Sequence, residues 1–289
     1  TMRLGALEAG GTKMVCAIGN ANGEIYERIS IPTETPEITV PKMIEYFKEK
    51  DIQALGIGCF GPIDLNRKSE TYGYITTTPK LAWKNYNIVG AFADALDIPV
   101  GFDTDVNGSA LGEATWGITK GLDNSIYITI GTGVGMGIIS NGKLLHGMLH
   151  PEGGHVLLTR HPKDTYGGKC PYHSNCLEGL PAIEARWGKK GIELADKKEV
   201  WELEAYYIGQ ALVDCIMLLS PQRIVLGGGV MHQEHMMPLV REEVKKQLNG
   251  YLVTKELEDL DSYIVLPSLN DNQGIMGALK LAVDELAMQ

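Results

Sequence analysis

Two glycine-containing stretches of alternating apolar character, about 120 residues apart, follow the same pattern. Residues 7–18 and residues 128–139 each contain an apolar segment, a glycine-rich turn and a second apolar segment, and an Asn-Gly pair follows each. Asn-Gly is typical of the two-residue β-hairpin turn. Each stretch therefore predicts a three-stranded β-meander. Because the unit is repeated, we expect two related domains that face one another.

Elsewhere, segments with helical spacing of apolar residues alternate with short apolar segments. Helices are predicted near residues 36–50, 88–96, 199–219, 238–248 and 273–287, and strands near residues 54–60, 100–102, 223–226 and 263–266. Helices that alternate with strands indicate an α/β fold.

Composition limits the classes of function. The chain has 289 residues, enough for two domains, and its formal net charge of −10 argues against a nucleic-acid partner. No apolar run reaches the roughly 18 residues of a membrane span, and the N-terminus lacks the pattern of a secretory signal. Five cysteines, an odd number, indicate a reducing compartment, so we expect a cytoplasmic protein.

The two glycine-rich turns are candidate phosphate sites, because several backbone N–H groups can converge on one anion where side chains are absent. A single turn of this kind is common in hairpins, and the matched pair favours phosphate binding. The residues expected to contact phosphate are Gly10, Gly11, Thr12, Lys13, Gly131, Thr132 and Gly133.

Other nucleotide motifs are absent or incomplete. The sequence has no P-loop, and the dinucleotide pattern at residues 56–61 is followed by a turn where that motif requires a helix. Three glycines, Gly227, Gly228 and Gly229, connect a predicted strand to a helix, where a flat ligand such as adenosine can approach the backbone or where the chain simply turns.

Acidic residues follow a predicted strand where a helix begins. We expect one of Asp103 and Asp105 to cap this helix and the other to face a cleft as a general base. Glu152 and His155 share a turn, and Glu178 lies on a second loop. Such groups offer donors and acceptors to the hydroxyls of a polyol.

Cysteine and histidine spacing predicts a metal site. His155 is followed by the motif Cys170-x2-His173-x2-Cys176. Two thiols and two imidazoles match tetrahedral zinc. Because the protein fills all four positions, the predicted zinc is structural.

Taken together, these motifs resemble the ROK family (repressors, open reading frames, kinases), and specifically its bacterial fructokinase branch. The resemblance covers essentially the whole chain and rests on segments 8–13, 61–64, 105–113, 131–135, 151–155 and 170–179. It implies an actin-like (ribonuclease H-like) ATPase fold made of two related domains with a cleft between them. The smaller domain is expected over residues 1–107, and the larger one, which contains the zinc loop, over residues 108–271. The C-terminal helix, residues 272–289, is expected to pack back on the smaller domain. The resemblance also implies a homodimer.

The resemblance further implies an ATP-dependent kinase that phosphorylates the 6-hydroxyl of fructose, with Mg²⁺ bridging the phosphates. It makes Asp105 the general base. The residues expected to contact the sugar are Gly61, Pro62, Asp105, Glu152, His155 and Glu178, and Pro181 is expected near the nucleotide.

Two departures from the family's glucokinases bear on the sugar. Those enzymes usually carry Asn where this chain has Thr104, and a zinc loop without His173. Both differences favour fructose over glucose and leave mannose, or a broader range of hexoses, as an alternative. A kinase of acetylated aminosugars is a second alternative. A non-catalytic sugar-sensing regulator is a third, although no helix-turn-helix is predicted before the first strand.

Overall fold

A computed structural model describes residues 2–289. Its first half contains β1 (Leu4–Ala9), β2 (Lys13–Gly19), β3 (Ile25–Pro32), α1 (Pro36–Lys48), β4 (Leu55–Cys59), β5 (Tyr74–Ile75), β6 (Tyr86–Asn87), α2 (Ile88–Leu96), β7 (Val100–Thr104) and α3 (Asp105–Trp116). Its second half contains β8 (Ser125–Ile130), β9 (Val134–Ser140), β10 (Lys143–Leu144), α4 (Ile183–Trp187), α5 (Lys198–Leu219), β11 (Arg223–Gly227), α6 (Met236–Leu248), α7 (Lys255–Glu258), α8 (Leu260–Tyr263), β12 (Ile264–Val265) and α9 (Gln273–Ala287). None of these helices combines the length and the apolar character needed to cross a lipid bilayer.

The two predicted meanders build two sheets with the same strand order. One sheet is ordered β3-β2-β1-β4-β7 and the other β10-β9-β8-β11-β12. In each, the first two strands pair antiparallel, and the first strand also pairs in parallel with a strand that follows a helix. Parallel neighbours need a long crossover connection, which the intervening helices supply.

The described chain divides into two compact units, each containing one of these sheets. The first unit comprises residues 2–121, 144–151 and 267–289, and the second comprises residues 122–143 and 152–266. The first unit thus continues beyond residue 107, the expected boundary, because α3 packs on α9 inside it.

Each unit has its own apolar core. In the first unit, Phe47, Trp83 and Phe92 are among the largest fully buried side chains. In the second, Trp201 and Ile208 of α5 pack with buried residues of β8 and β11. Burial of these side chains removes apolar surface from water and stabilises each unit.

Glycines allow α9 to lie directly on the backbone of its neighbours. A Cβ at Gly277 would stand 1.7 Å from the carbonyl oxygen of Gly108 in α3. A Cβ at Gly56 in β4 would stand 1.7 Å from the carbonyl oxygen of Ala278. Real Cβ atoms do not approach backbone oxygens so closely, so these glycines determine how closely α9 lies on α3 and on β4.

We expect Gly277→Ala to destabilise the protein by about 3 kcal/mol, because the clash with α3 exceeds the roughly 1 kcal/mol that alanine gains over glycine in a helix. Gly108→Ala is the matched control, since its Cβ would meet only the Gly274 carbonyl oxygen at an ordinary 3.6 Å. Urea unfolding of both variants measures the difference. Equal midpoints would contradict the proposed clash.

Candidate active site and metal centre

The first glycine-rich turn joins β1 to β2 and is closed by backbone hydrogen bonds. The N–H of Gly10 donates to the Lys13 carbonyl at 3.0 Å, and a Cβ at Gly10 would stand 2.7 Å from the same oxygen. The Thr33 hydroxyl donates to the Gly10 carbonyl at 2.8 Å. Thr12 and Lys13 remain exposed at the tip. The turn therefore presents polar groups to solvent on a fixed backbone.

The second turn joins β8 to β9 and lies beside Glu178. The N–H of Gly131 donates to the Gly133 carbonyl at 2.9 Å, and the N–H of Val134 donates to Oε1 of Glu178 at 3.0 Å. Gly228, with φ of 92°, packs on Ile130, where a Cβ would stand 2.3 Å from the carbonyl oxygen. Two predicted nucleotide segments, residues 131–133 and 227–229, thus meet in the second unit.

The two candidate acids lie on either side of the residue that caps α3, and neither of them is the cap. Thr104 is the N-cap, and its hydroxyl oxygen accepts from the Asn107 N–H at 3.1 Å. The expectation that Asp103 or Asp105 caps the helix was therefore wrong. Threonine is also a favoured N-cap residue, and the extended backbone at Thr104 suits the cap position.

Asp103 is held by three donors. One oxygen accepts from the Thr104 N–H at 2.8 Å and from the Asn107 side-chain amide at 2.7 Å, and the other lies 2.8 Å from Nε2 of His146. The hydrogen bond to Asp103 raises the pKa of His146. Asp103 is therefore a structural acid that ties residues 144–151 to the start of α3.

Asp105 is the first residue of α3, and one of its carboxylate oxygens accepts from the Val106 N–H at 2.9 Å. Burial raises its pKa above the ordinary value for aspartate. Glu8, at the end of β1, has a pKa raised by burial and further by the Asp105 charge. The two carboxylates are therefore neighbours, beside the first glycine-rich turn.

His150 binds the predicted sugar-binding turn at Gly61 and Pro62, which are joined by a cis peptide bond. The N–H of Ile63 donates to Nε2 of His150 at 3.1 Å, while Nδ1 lies 3.3 Å from the Pro151 carbonyl. A histidine that satisfies both contacts carries its proton on Nδ1. His150 thus positions this turn within the first unit.

The four predicted metal ligands converge in the second unit. Their donor atoms all lie within 4.8 Å of one another. Nδ1 of His155 lies 3.3 Å from Nδ1 of His173, 3.7 Å from Sγ of Cys170 and 4.0 Å from Sγ of Cys176. Zinc bond lengths place ligand atoms of a tetrahedron about 3.3 to 3.8 Å apart. The residues fit zinc.

Backbone groups orient the two sulfur atoms. The N–H of His173 points at Sγ of Cys170 at 3.4 Å, and the N–H of Gly179 points at Sγ of Cys176 at 3.2 Å. Each N–H therefore holds one sulfur atom in place toward the other ligands of the cluster. Both cysteines are buried, whereas His155 is half-buried and His173 is exposed, so the cluster lies at the surface with its sulfur atoms on the inner side.

The metal cluster is connected to the predicted sugar-binding acids. Nε2 of His155 lies 3.6 Å from the Glu178 carboxylate, and the His155 N–H donates to the Glu152 carbonyl at 3.0 Å. A metal on Nδ1 leaves Nε2 to carry the proton, directed toward Glu178. Pro181 is buried two residues before α4. His155 therefore links the metal cluster to Glu152 and Glu178, and its position constrains where both acids lie.

Similarity to known proteins agrees with this arrangement. Residues 4–285 match the ROK family. The chain is 47% identical over 284 residues to the fructokinase of Pediococcus pentosaceus, covering 97% of this chain and 98% of that one. It is 46% identical over 287 residues to the fructokinase of Streptococcus mutans, covering 96% of each.

The chain belongs to the ROK family. The crystal structure of the ROK hexokinase from Thermus thermophilus superposes with a TM-score of 0.79, at 24% identity and with both chains fully covered. This similarity confirms the predicted actin-like ATPase fold.

Two residues that contact the candidate site could not be identified from the sequence. His146 contacts Asp103 across 43 positions of the chain. Lys80 lies against Gly11. Neither belongs to a recognisable motif, and only the folded chain brings each one to its neighbour.

Proposed function

We propose that this ROK protein is an ATP-dependent fructokinase that transfers the γ-phosphate of ATP to the 6-hydroxyl of fructose. The observation that carries the reaction class is the half-buried carboxylate of Asp105 at the start of α3, beside Glu8 and the first glycine-rich turn. The high identity to two fructokinases supports the sugar.

In this mechanism Asp105 accepts the proton of the 6-hydroxyl as that oxygen attacks the γ-phosphorus. The new O–P bond forms while the bond from the γ-phosphorus to ADP breaks, and ADP leaves with the electron pair. Glu152, His155 and Glu178 hold the sugar hydroxyls, and the turns at residues 10–13 and 131–133 hold ATP, with residues 227–229 and Pro181 near the adenosine.

Two metal ions complete the proposal. The carboxylate of Glu8, beside the first glycine-rich turn, is the kind of oxygen ligand that Mg²⁺ prefers, so it would hold the cation while Asp105 accepts the proton. When bound with ATP, Mg²⁺ neutralises phosphate charge. Zinc at His155, Cys170, His173 and Cys176 is structural.

Thr104 supports fructose over glucose. Its hydroxyl is committed to the helix cap and the residue is buried, so it cannot offer a sugar the amide that asparagine would provide. The resemblance also supports a homodimer. The five cysteines, all free of disulfides, are in keeping with a cytoplasmic site of action.

The test is an ADP-release assay with MgATP and fructose, mannose, glucose or N-acetylmannosamine. We expect kcat/KM for fructose to exceed that for glucose by at least about 100-fold, which corresponds to roughly 3 kcal/mol of discrimination. Comparable turnover of mannose would make the enzyme a broader hexose kinase, and N-acetylmannosamine as best substrate would indicate an aminosugar kinase. No turnover of any sugar would favour a sugar-sensing regulator.

A further inference from the structure

Lys80 lies over the first glycine-rich turn. A Cβ built on Gly11 would stand 2.9 Å from Cε and 3.6 Å from Nζ of Lys80. The lysine side chain therefore occupies the space that a side chain at position 11 would need. Its ammonium group is within a few ångströms of the turn that we propose binds ATP phosphates.

Buried anchors on both sides hold the backbone of Lys80. The Lys80 N–H donates to the hydroxyl of buried Thr78 at 3.1 Å, and the Trp83 N–H donates to the Lys80 carbonyl at 2.9 Å. The Trp83 side chain is 1% exposed, and its indole N–H donates to the Glu34 carbonyl at 2.8 Å. The lysine thus projects from a fixed base.

The charge of Lys80 is not neutralised by the protein. Within residues 2–289, no carboxylate forms an ion pair with Lys80, and the residue is exposed. A cation beside an anion-binding turn, with a fixed backbone and no acidic partner, is suited to a phosphate ligand.

We propose that Lys80 contacts the γ-phosphoryl group and stabilises the charge that develops on it during transfer. This inference rests on the proposed kinase function. Lys80 transfers no proton in this step, because Asp105 takes the proton of the sugar hydroxyl. In phosphoryl transfer such a cation acts mainly on the transition state, where charge is spread over the phosphoryl oxygens.

The first test is Lys80→Met, which keeps an unbranched side chain only one atom shorter and removes the charge. We expect kcat to fall by about 100-fold to 1,000-fold while KM for fructose stays within about threefold. Lys80→Arg should restore at least part of kcat. The control is Lys84→Met. Lys84 is an exposed lysine just after the single helical turn Leu81–Trp83, which Lys80 precedes, and this variant should stay within about twofold of wild type.

The second test displaces the lysine without removing it. In Gly11→Ala the new Cβ meets only the flexible end of Lys80, so the chain can adapt by moving that side chain. If Gly11→Ala acts through Lys80, adding it to Lys80→Met should lower kcat by less than about twofold further.

The outcomes separate this inference from the proposed function. A wild-type protein without kinase activity would overturn both. A wild-type fructokinase whose Lys80→Met variant keeps its kcat, or loses only affinity for ATP, would overturn the role of Lys80 alone. Equal effects of Gly11→Ala in the wild-type and Lys80→Met backgrounds would contradict the placement of Lys80 at the phosphate.

Discussion

Asp105→Asn should lower kcat by about 1,000-fold or more while leaving the affinity for ATP within about threefold of wild type. Asparagine has the shape of aspartate and can still accept from the Val106 N–H, but it cannot take a proton from the sugar. The variant therefore tests proton transfer separately from the local fold. Steady-state kinetics with fructose and calorimetric titration with ATP provide the two measurements.

The matched control is Asp103→Asn, which changes the other candidate acid on the same segment, a buried one. Asp103 is held by Thr104, Asn107 and His146, so we expect this change to reduce stability more than chemistry, with kcat within about tenfold of wild type. If Asp103→Asn abolished turnover and Asp105→Asn did not, the assignment of the base would be reversed.

The raised pKa of Asp105 adds a signature in pH and in stability. Because the base must be ionised, kcat should fall on the acid side at a pH above the ordinary titration range of aspartate. A raised folded-state pKa also means that the ionised form costs folding free energy at neutral pH. Asp105→Asn should therefore raise the thermal unfolding temperature at pH 7, so that its loss of turnover cannot be attributed to unfolding.

The repeated meander could be predicted from the sequence because its signals are local. A glycine-rich turn between apolar segments, followed by Asn-Gly, specifies hairpins whatever surrounds them, and both five-stranded sheets of the described chain contain the expected meander. The helix predicted near residues 273–287 has the same bounds in the structure, Gln273–Ala287. Local periodicity determines such elements.

Contacts between distant segments could not be predicted in this way. Aspartate and threonine are both favoured caps, so the sequence does not decide which residue of this segment caps α3. Only the folded chain shows that Asp103 contacts His146. Likewise, nothing in the segment around Lys80 indicates that it lies over Gly11. A single sequence gives the residue types but not which distant pairs meet.

Cys176→Ser should remove the proposed zinc and weaken fructose binding. We expect about one zinc ion per chain in the wild-type protein and less than about 0.2 in the variant, because serine is a poor ligand and a three-ligand site binds far more weakly. Loss of the metal frees His155 and, through it, Glu178, so KM for fructose should rise at least about tenfold. Metal analysis and kinetics provide the measurements.

The control for this prediction is Cys215→Ser, which changes a buried cysteine outside the cluster. Its thiol lies 3.7 Å from the sulfur of Met136 in the core of the second unit, so zinc content and KM should both be unchanged even if stability falls. Retention of zinc by Cys176→Ser would rule out the assigned ligand set.

Replacing zinc with Co²⁺ distinguishes a structural metal from a catalytic one. With all four positions filled by His155, Cys170, His173 and Cys176, neither water nor sugar can reach the ion, so kcat should stay within about twofold of the zinc protein. The cobalt–thiolate absorption would at the same time report that cysteines bind the metal. A large change in kcat after the substitution would show that the ion takes part in the reaction. One of its four coordination positions would then be open to water or substrate, and the assignment of four protein ligands would be wrong.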